Sequence, residues 1–211
     1  MKTNILPLKP NTFYHIYNRG INGETIFKQS RNYSYFLEKY DRFLSPVADT
    51  HAYCLLGNHF HFLIRTKSED VIIEMKTKML SKTNKNPNIP SVNKIISQAF
   101  ASLFKSYAQS INKAFNRTGA LFEEPFRRIE ISSESYFRQM VHYIHFNPQK
   151  HGFVNDFRDY PHSSYSAFTT LKNTKLKRET VLACFGDRVK FLDSHAIHSS
   201  FQEIKDFILE E

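Results

Sequence analysis

The stretch Gly57-Asn58-His59-Phe60-His61-Phe62-Leu63-Ile64 decides how this chain is read. Residues two apart on a strand project from the same face, so His59 and His61 share one side while Phe60, Phe62 and Ile64 share the other. The apolar side would enter a core. The imidazole side would offer two neutral nitrogen ligands to a cation. Half-buried structural histidines would leave the same pattern, so a second constellation elsewhere in the chain has to decide between the two readings.

Working outward, Gly57-Asn58 is a two-residue turn, and the apolar run at residues 51–56 before it completes a hairpin. Upstream, Thr12-Phe13-Tyr14-His15-Ile16-Tyr17-Asn18 alternates as a strand should, and Arg19-Gly20-Ile21-Asn22-Gly23 breaks it. Tyr33, Phe36, Leu37, Tyr40 and Phe43 then fall at helical spacing, predicting a helix over 30–44. Downstream, residues 67–92 read as an excursion: an amphipathic piece at 71–80, then a polar, basic, proline-broken tract at 81–90 expected to be a mobile loop. A long helix is predicted over 92–115 and a strand carrying Arg127 and Arg128 over 121–131. A last core helix opens at Ser132-Ser133-Glu134-Ser135 and is expected to stop at 146 or 147, because Pro148 disfavours helical geometry before it.

The order β-α-β-β-α-β followed by one helix predicts an α+β fold. Its form is the ferredoxin-like, RRM-like split β-α-β arrangement, an antiparallel four-stranded sheet with two helices on one face and the other face free for a ligand. Residues 1–160 are expected to form the main domain, with 67–92 inserted in it. Residues 161–211, including a Lys-rich stretch at 172–178 and a helical segment at 201–209, are expected to be an extension packed on the core.

Composition narrows the class. The 20 Phe, 11 Tyr and 6 Gly among 211 residues describe a packed globular chain rather than a disordered one. Cys54 and Cys184 form no framework, and neither a leader-like apolar segment nor a membrane-length apolar run occurs, so a soluble cytoplasmic protein is expected. The 29 Lys and Arg exceed the 20 Asp and Glu, giving a net charge of +9 that favours a polyanionic partner.

The second constellation is Tyr143 and Asn147. Four residues apart on the last core helix, they share a face, and the neighbouring stripe of Phe137, Val141 and Ile144 can dock the helix. The phenol would then be held rigidly with its hydroxyl accessible. Two imidazoles plus an amide oxygen suit Mg²⁺ or Mn²⁺ gripping a phosphate oxygen. A phenol, whose ordinary pKa is about 10, becomes a usable nucleophile beside such an ion. The product would be a covalent phosphotyrosine.

These residues resemble a known family. Gly57-Asn58-His59-Phe60-His61-Phe62-Leu63 is similar to the His-hydrophobic-His motif of the HUH single-tyrosine transposases, which include insertion-sequence transposases. Tyr143-Ile144-His145-Phe146-Asn147-Pro148 resembles the tyrosine helix of their REP-associated branch. Tyr14-His15-Ile16-Tyr17-Asn18-Arg19-Gly20, Asn116-Arg117-Thr118-Gly119-Ala120-Leu121-Phe122 and Asp159-Tyr160-Pro161-His162-Ser163-Ser164-Tyr165 follow in the family order, so the likeness spans residues 12–168. The resemblance implies that His59 and His61 bind the ion, that Asn147 is its third protein ligand, and that Tyr143 attacks single-stranded hairpin DNA. Attack would leave a 5′-phosphotyrosine and a free 3′-hydroxyl. Insertion-sequence relatives carry Gln where this chain has Asn147. They pair as dimers, whereas the REP-associated branch is more often monomeric, so a monomer is expected.

Around this core, Arg19 beside the first turn, Lys105 on the basic flank of the long helix, and one of Arg127 and Arg128 are candidate DNA contacts. His142 and His145 share a helix face that Tyr143 does not occupy, and with His151 they stay outside the expected site. A hairpin-DNA-binding protein without cleavage and an RNA-binding module are the rival readings. On any backbone-binding reading, affinity for single-stranded DNA falls with salt, with log–log slope about −0.7 per phosphate neutralised. A filter-binding titration that shows no salt dependence would exclude it.

Overall fold

The computed structural model describes residues 5–81 and 89–196. Strand β1 (Phe13–Arg19) leads to α1 (Ser30–Leu44), then the hairpin β2 (Ala48–Leu55) and β3 (His59–Thr66). Helices α2 (Glu69–Ser81) and α3 (Val92–Ala114) follow, then the short β4 (Arg127–Glu130) and α4 (Glu134–Lys150). Three further helices, α5 (Tyr165–Thr169), α6 (Arg178–Phe185) and α7 (Arg188–Ala196), belong to the extension. The sheet is antiparallel in the order β2-β3-β1-β4, the split β-α-β topology expected from the sequence. No helix among the described residues is long and apolar enough to cross a membrane. The tract at 82–88 and the segment at 201–209 lie outside the described residues.

β3 alternates as its sequence demands. Phe60, Phe62 and Ile64 are buried in a core with Phe36 and Tyr40 of α1 and Phe100 and Tyr107 of α3. Tyr40 stacks on Phe62 at 4.2 Å between ring centroids, and the Tyr107 hydroxyl donates to the Ile26 carbonyl at 2.9 Å. Burying each of these phenylalanines contributes roughly 2–3 kcal/mol.

The opposite face is not free. Ala52, Cys54 and Leu63 pack there against Phe137, Met140, Val141 and Ile144 of α4, and Tyr165, Phe168, Val181 and Phe191 of the extension close over them. The sheet is therefore covered on both sides, because α4 carries two apolar stripes and not one: the first meets the sheet and the second meets the extension. The extension also shields the edge strand β2. The Leu55 amide donates to the His162 carbonyl, the Ser164 amide to Tyr53, and the Lys177 amide to Thr50, each at 2.9 Å. These bonds satisfy an edge that would otherwise be open to another chain.

Beside β2, which opens at Ala48 and not at 51, two boundaries differ from expectation. β4 has four residues instead of eleven, since Pro125 has no N–H to donate to a ladder and only Phe122, bridged to Gly20, continues the pairing upstream. α4 runs through Pro148 to Lys150. Its last turn is held by amide donation from His151 to Asn147, from Gly152 to Gln149 and from Phe153 to Pro148, with Gly152 at φ 70°. This is a Schellman closure, which fixes the turn despite the missing proline donor. At the other end the Ser133 hydroxyl accepts from the Tyr136 amide at 3.1 Å, the expected cap.

A chain of hydrogen bonds ties the extension to α4. His195 Nδ1 lies 2.8 Å from the Phe191 carbonyl, which can only accept, so the proton is on Nδ1 and His195 Nε2 accepts from His145 Nδ1–H at 3.0 Å. His145 Nε2 in turn accepts from the Ser164 hydroxyl at 2.9 Å, and Ser164 Oγ accepts from the Tyr53 amide at 2.8 Å. Every member is neutral and satisfied. Burial drives His145 well below the ordinary imidazole range and His195 down to about 3, with the neighbouring His142 pushed to about 4. These histidines are neutral in the fold and gain protons on unfolding. Their stabilisation is complete above about pH 6.5 and is lost as pH falls below it, at about 1.4 kcal/mol per pH unit for each group until its own folded-state pKa is reached. Calorimetric melts should show a midpoint falling steadily between pH 6.5 and 4.5, with a shallower fall in His195→Phe; a flat profile would contradict the relay.

Candidate functional site

The strand register fixes which side chains meet. Across the sheet, His61 is paired with Cys54 on one side and Tyr17 on the other, Tyr17 with Arg127, and Arg19 with His59. Paired residues share a face, so His59, His61, Tyr17, Arg19 and Arg127 all lie on the face that α4 crosses. The Tyr143 ring stands edge-on to His61, with centroids 5.5 Å apart, and edge-on to His15 at 6.0 Å. Helix and hairpin thus bring the phenol and the histidine pair together. Asn147 lies one turn beyond Tyr143 on the same helix.

The site is more enclosed than the sequence suggests. Tyr143 is 3% exposed and Asn147 fully buried, where an accessible hydroxyl is expected from the amphipathic pattern. The reason is the second apolar stripe of α4, which brings the extension down over the helix. His59 remains half-buried and opens onto a cavity of about 540 Å³ lined by Tyr17, Asn58, His59, His61, Glu123 and Arg127, among others. Tyr143 meets that lining through its edge-on contact with His61.

Each imidazole commits its Nδ1 to a protein partner. His59 Nδ1 lies 2.7 Å from Asn58 Oδ1, and His61 Nδ1 lies 2.9 Å from His15 Nε2. Because Asn58 Oδ1 can only accept, His59 carries its proton on Nδ1, and Nε2 is the unprotonated nitrogen. Burial, reinforced by His59, His151 and Lys150, holds His61 well below the ordinary imidazole range, so it is neutral and fit to donate to a metal at neutral pH. The amide of Asn147 supports a third ligand: its Oδ1 and Nδ2 are both buried without a hydrogen-bond partner. Such a group is costly unless something else uses it. Among the described residues no group of three or more His, Cys, Asp or Glu side chains could hold a metal. A cation held here would have to draw on two imidazoles and an amide, a donor set that would leave room for phosphate oxygens.

Other expected contacts divide by face. Arg127 reaches the cavity, as does Arg19, whose Nε is paired with Glu123 Oε1 at 2.6 Å. Arg128 pairs with Ile16 on the opposite side of the sheet and lays its guanidinium over Phe126 at 3.8 Å. Lys105 is exposed on α3, in the layer that also covers that opposite side. Of the four basic candidates, two face the site and two do not. His142 and His145 lie on the extension side of α4, as helical geometry requires.

Two neighbours escape a reading of the sequence alone, and a third, His151, lies in the site although the sequence reading leaves it outside. His151 stands 4.9 Å from His59 between ring centroids and lines the same cavity. Lys150 places its ammonium 5.1 Å from the Tyr143 ring. His15 bonds His61 from the central strand. Lys150 follows Tyr143 and Asn147 at the next helical spacing, a signal present in the sequence once α4 is known to continue past Pro148. His15 has no local signal, since its role depends on the sheet order.

The fold has a solved counterpart. No protein-family model matches the chain, and no curated protein matches it in sequence. In structure it is similar to a REP-associated tyrosine transposase bound to a REP hairpin, with a TM-score of 0.56 and 16% identity over 80% of this chain and 86% of that one. The likeness is one of fold. The chemistry has to be argued from the residues above.

Asn147 gives a direct test of this arrangement. Asn147→Leu removes an unsatisfied buried amide at similar volume, so it should stabilise the metal-free protein by about 1–3 kcal/mol in denaturant unfolding. A destabilised variant would show that the amide is structural.

Proposed function

We propose that this chain is a metal-dependent endonuclease and strand transferase acting on single-stranded DNA that folds into a hairpin. The observation that carries this reading is the convergence of Tyr143 on the His59 and His61 strand, with 5.5 Å between the Tyr143 and His61 rings. His59 and His61, with Asn147, would hold a divalent ion such as Mg²⁺ or Mn²⁺, which would polarise the phosphate and offset its developing charge. The hairpin-bound structural counterpart supports DNA as the partner.

In this mechanism the Tyr143 oxygen attacks the scissile phosphorus and the bond to the 3′-oxygen breaks. The phenol proton leaves and the departing oxygen gains one, giving a 3′-hydroxyl and a 5′-phosphotyrosine. Attack by a 3′-hydroxyl on that phosphotyrosine reverses the chemistry and joins strands, so no external energy source is required. Lys150 beside the Tyr143 ring and Arg127 in the cavity balance the phosphate's charge. The enclosed phenol keeps water away from the covalent intermediate, which a strand transferase needs more than a hydrolase does.

Incubation with labelled hairpin DNA and Mn²⁺ should give a protein–DNA adduct that survives denaturation. Tyr143→Phe should abolish it and leave binding within a few-fold, while His59→Ala should slow cleavage on the order of 10²-fold or more. An adduct that persists in Tyr143→Phe would remove the assigned nucleophile. Hairpin binding with no adduct under any divalent ion would favour a binding protein without cleavage activity.

A further inference from the structure

The two candidate metal ligands are built alike: each turns its Nδ1 inward to a protein partner. For His59 that partner is an amide oxygen, which settles the tautomer. For His61 it is another imidazole, His15, and the tautomer depends on which ring gives the hydrogen. The bond is short, 2.9 Å, between rings that are 0% and 1% exposed, and their planes lie within 14° of each other with centroids 5.2 Å apart. The contact is therefore in the ring planes, nitrogen to nitrogen, and is not a face-to-face stack. Tyr17 lies over both rings, 4.8 Å from His15 and 5.9 Å from His61 between centroids and tilted from them by 19° and 22°, which holds the pair in place.

Two neutral nitrogens at this distance share one hydrogen. If His15 Nε2–H donates, His61 carries its own hydrogen on Nε2, and that nitrogen is closed to a metal. If His61 Nδ1–H donates, His15 carries its hydrogen on Nδ1 and His61 Nε2 keeps its lone pair, the same state that Asn58 imposes on His59. Only the second arrangement gives two matched ligands on one strand.

We propose that His15 is a positioning residue for the metal site: it accepts the His61 Nδ1–H, fixes the His61 ring and tautomer, and leaves Nε2 directed to the cation. This rests on the metal role assigned to His59 and His61 above. His15 does not touch the ion or the substrate. It belongs to β1 at the centre of the sheet, so the orientation of a ligand on the hairpin is set from a neighbouring strand, with less freedom than a loop partner would allow.

Three variants and two readouts test this. Mn²⁺ binding to the full chain, followed by EPR titration, should weaken about 10- to 100-fold in His15→Phe, which keeps a ring but has no acceptor. His15→Gln, whose amide oxygen can accept the same hydrogen, should recover most of the affinity. Long-range ¹H–¹⁵N NMR on the metal-free wild type should find the His61 hydrogen on Nδ1, and in His15→Phe on Nε2. His15→Phe binding Mn²⁺ as tightly as wild type, or a wild-type His61 hydrogen on Nε2, overturns the positioning role while leaving the metal site standing if His59→Ala still abolishes binding. Equal Mn²⁺ affinity in wild type and His59→Ala overturns the site itself, and this inference with it. Should His15→Phe fail to fold, the wild-type tautomer and His15→Gln still decide.

Discussion

β3 is buried on both faces, and the rest of the structure depends on that double burial. A strand with one wet face could carry histidines at no cost. Here the face opposite Phe60 and Phe62 is covered by α4, so His61 is removed from water and its ring nitrogens need partners. The same requirement accounts for His15 on the neighbouring strand and Asn58 in the turn. A polar row is thus held inside an otherwise apolar interface, at the point where α4 presents Tyr143.

The extension makes this arrangement possible. By covering the outer stripe of α4 and the edge of β2, residues 162–196 clamp the helix against the sheet. The neutral chain from Tyr53 through Ser164, His145 and His195 to Phe191 joins strand, turn and two helices with a single direction of hydrogen bonding. It lies on the far side of α4 from the proposed cation. Two histidine systems therefore flank one helix, one tying it to the extension and the other facing it from β1 and β3.

Much of this was legible in the sequence, for identifiable physical reasons. The period-2 pattern of His59 to Ile64 and the period-3.6 patterns of α1 and α3 are local, and the bounds of α1 agree with expectation. The pairing of Tyr143 with His61 was legible only through two distant motifs read together. What was not legible is non-local. β1 register decides that His15 meets His61. Strand parity shows that only one of Arg127 and Arg128 can face the site, but not which. The continuation of α4 through Pro148, which brings Lys150 and His151 to the site, follows from the Schellman closure at Gly152, and a local rule about the residue before proline gives the opposite answer.

The central claim is that an amide and a phenol from α4 and two imidazoles from β3 serve one cation. Anomalous diffraction from a crystal grown with Mn²⁺ tests it most directly. The account predicts one manganese peak at bonding distance from the Nε2 atoms of both His59 and His61, with Asn147 Oδ1 in its coordination sphere and the Tyr143 oxygen facing its open side. A peak bound elsewhere, or a His59 and His61 pair that stays metal-free at saturating Mn²⁺, would contradict it.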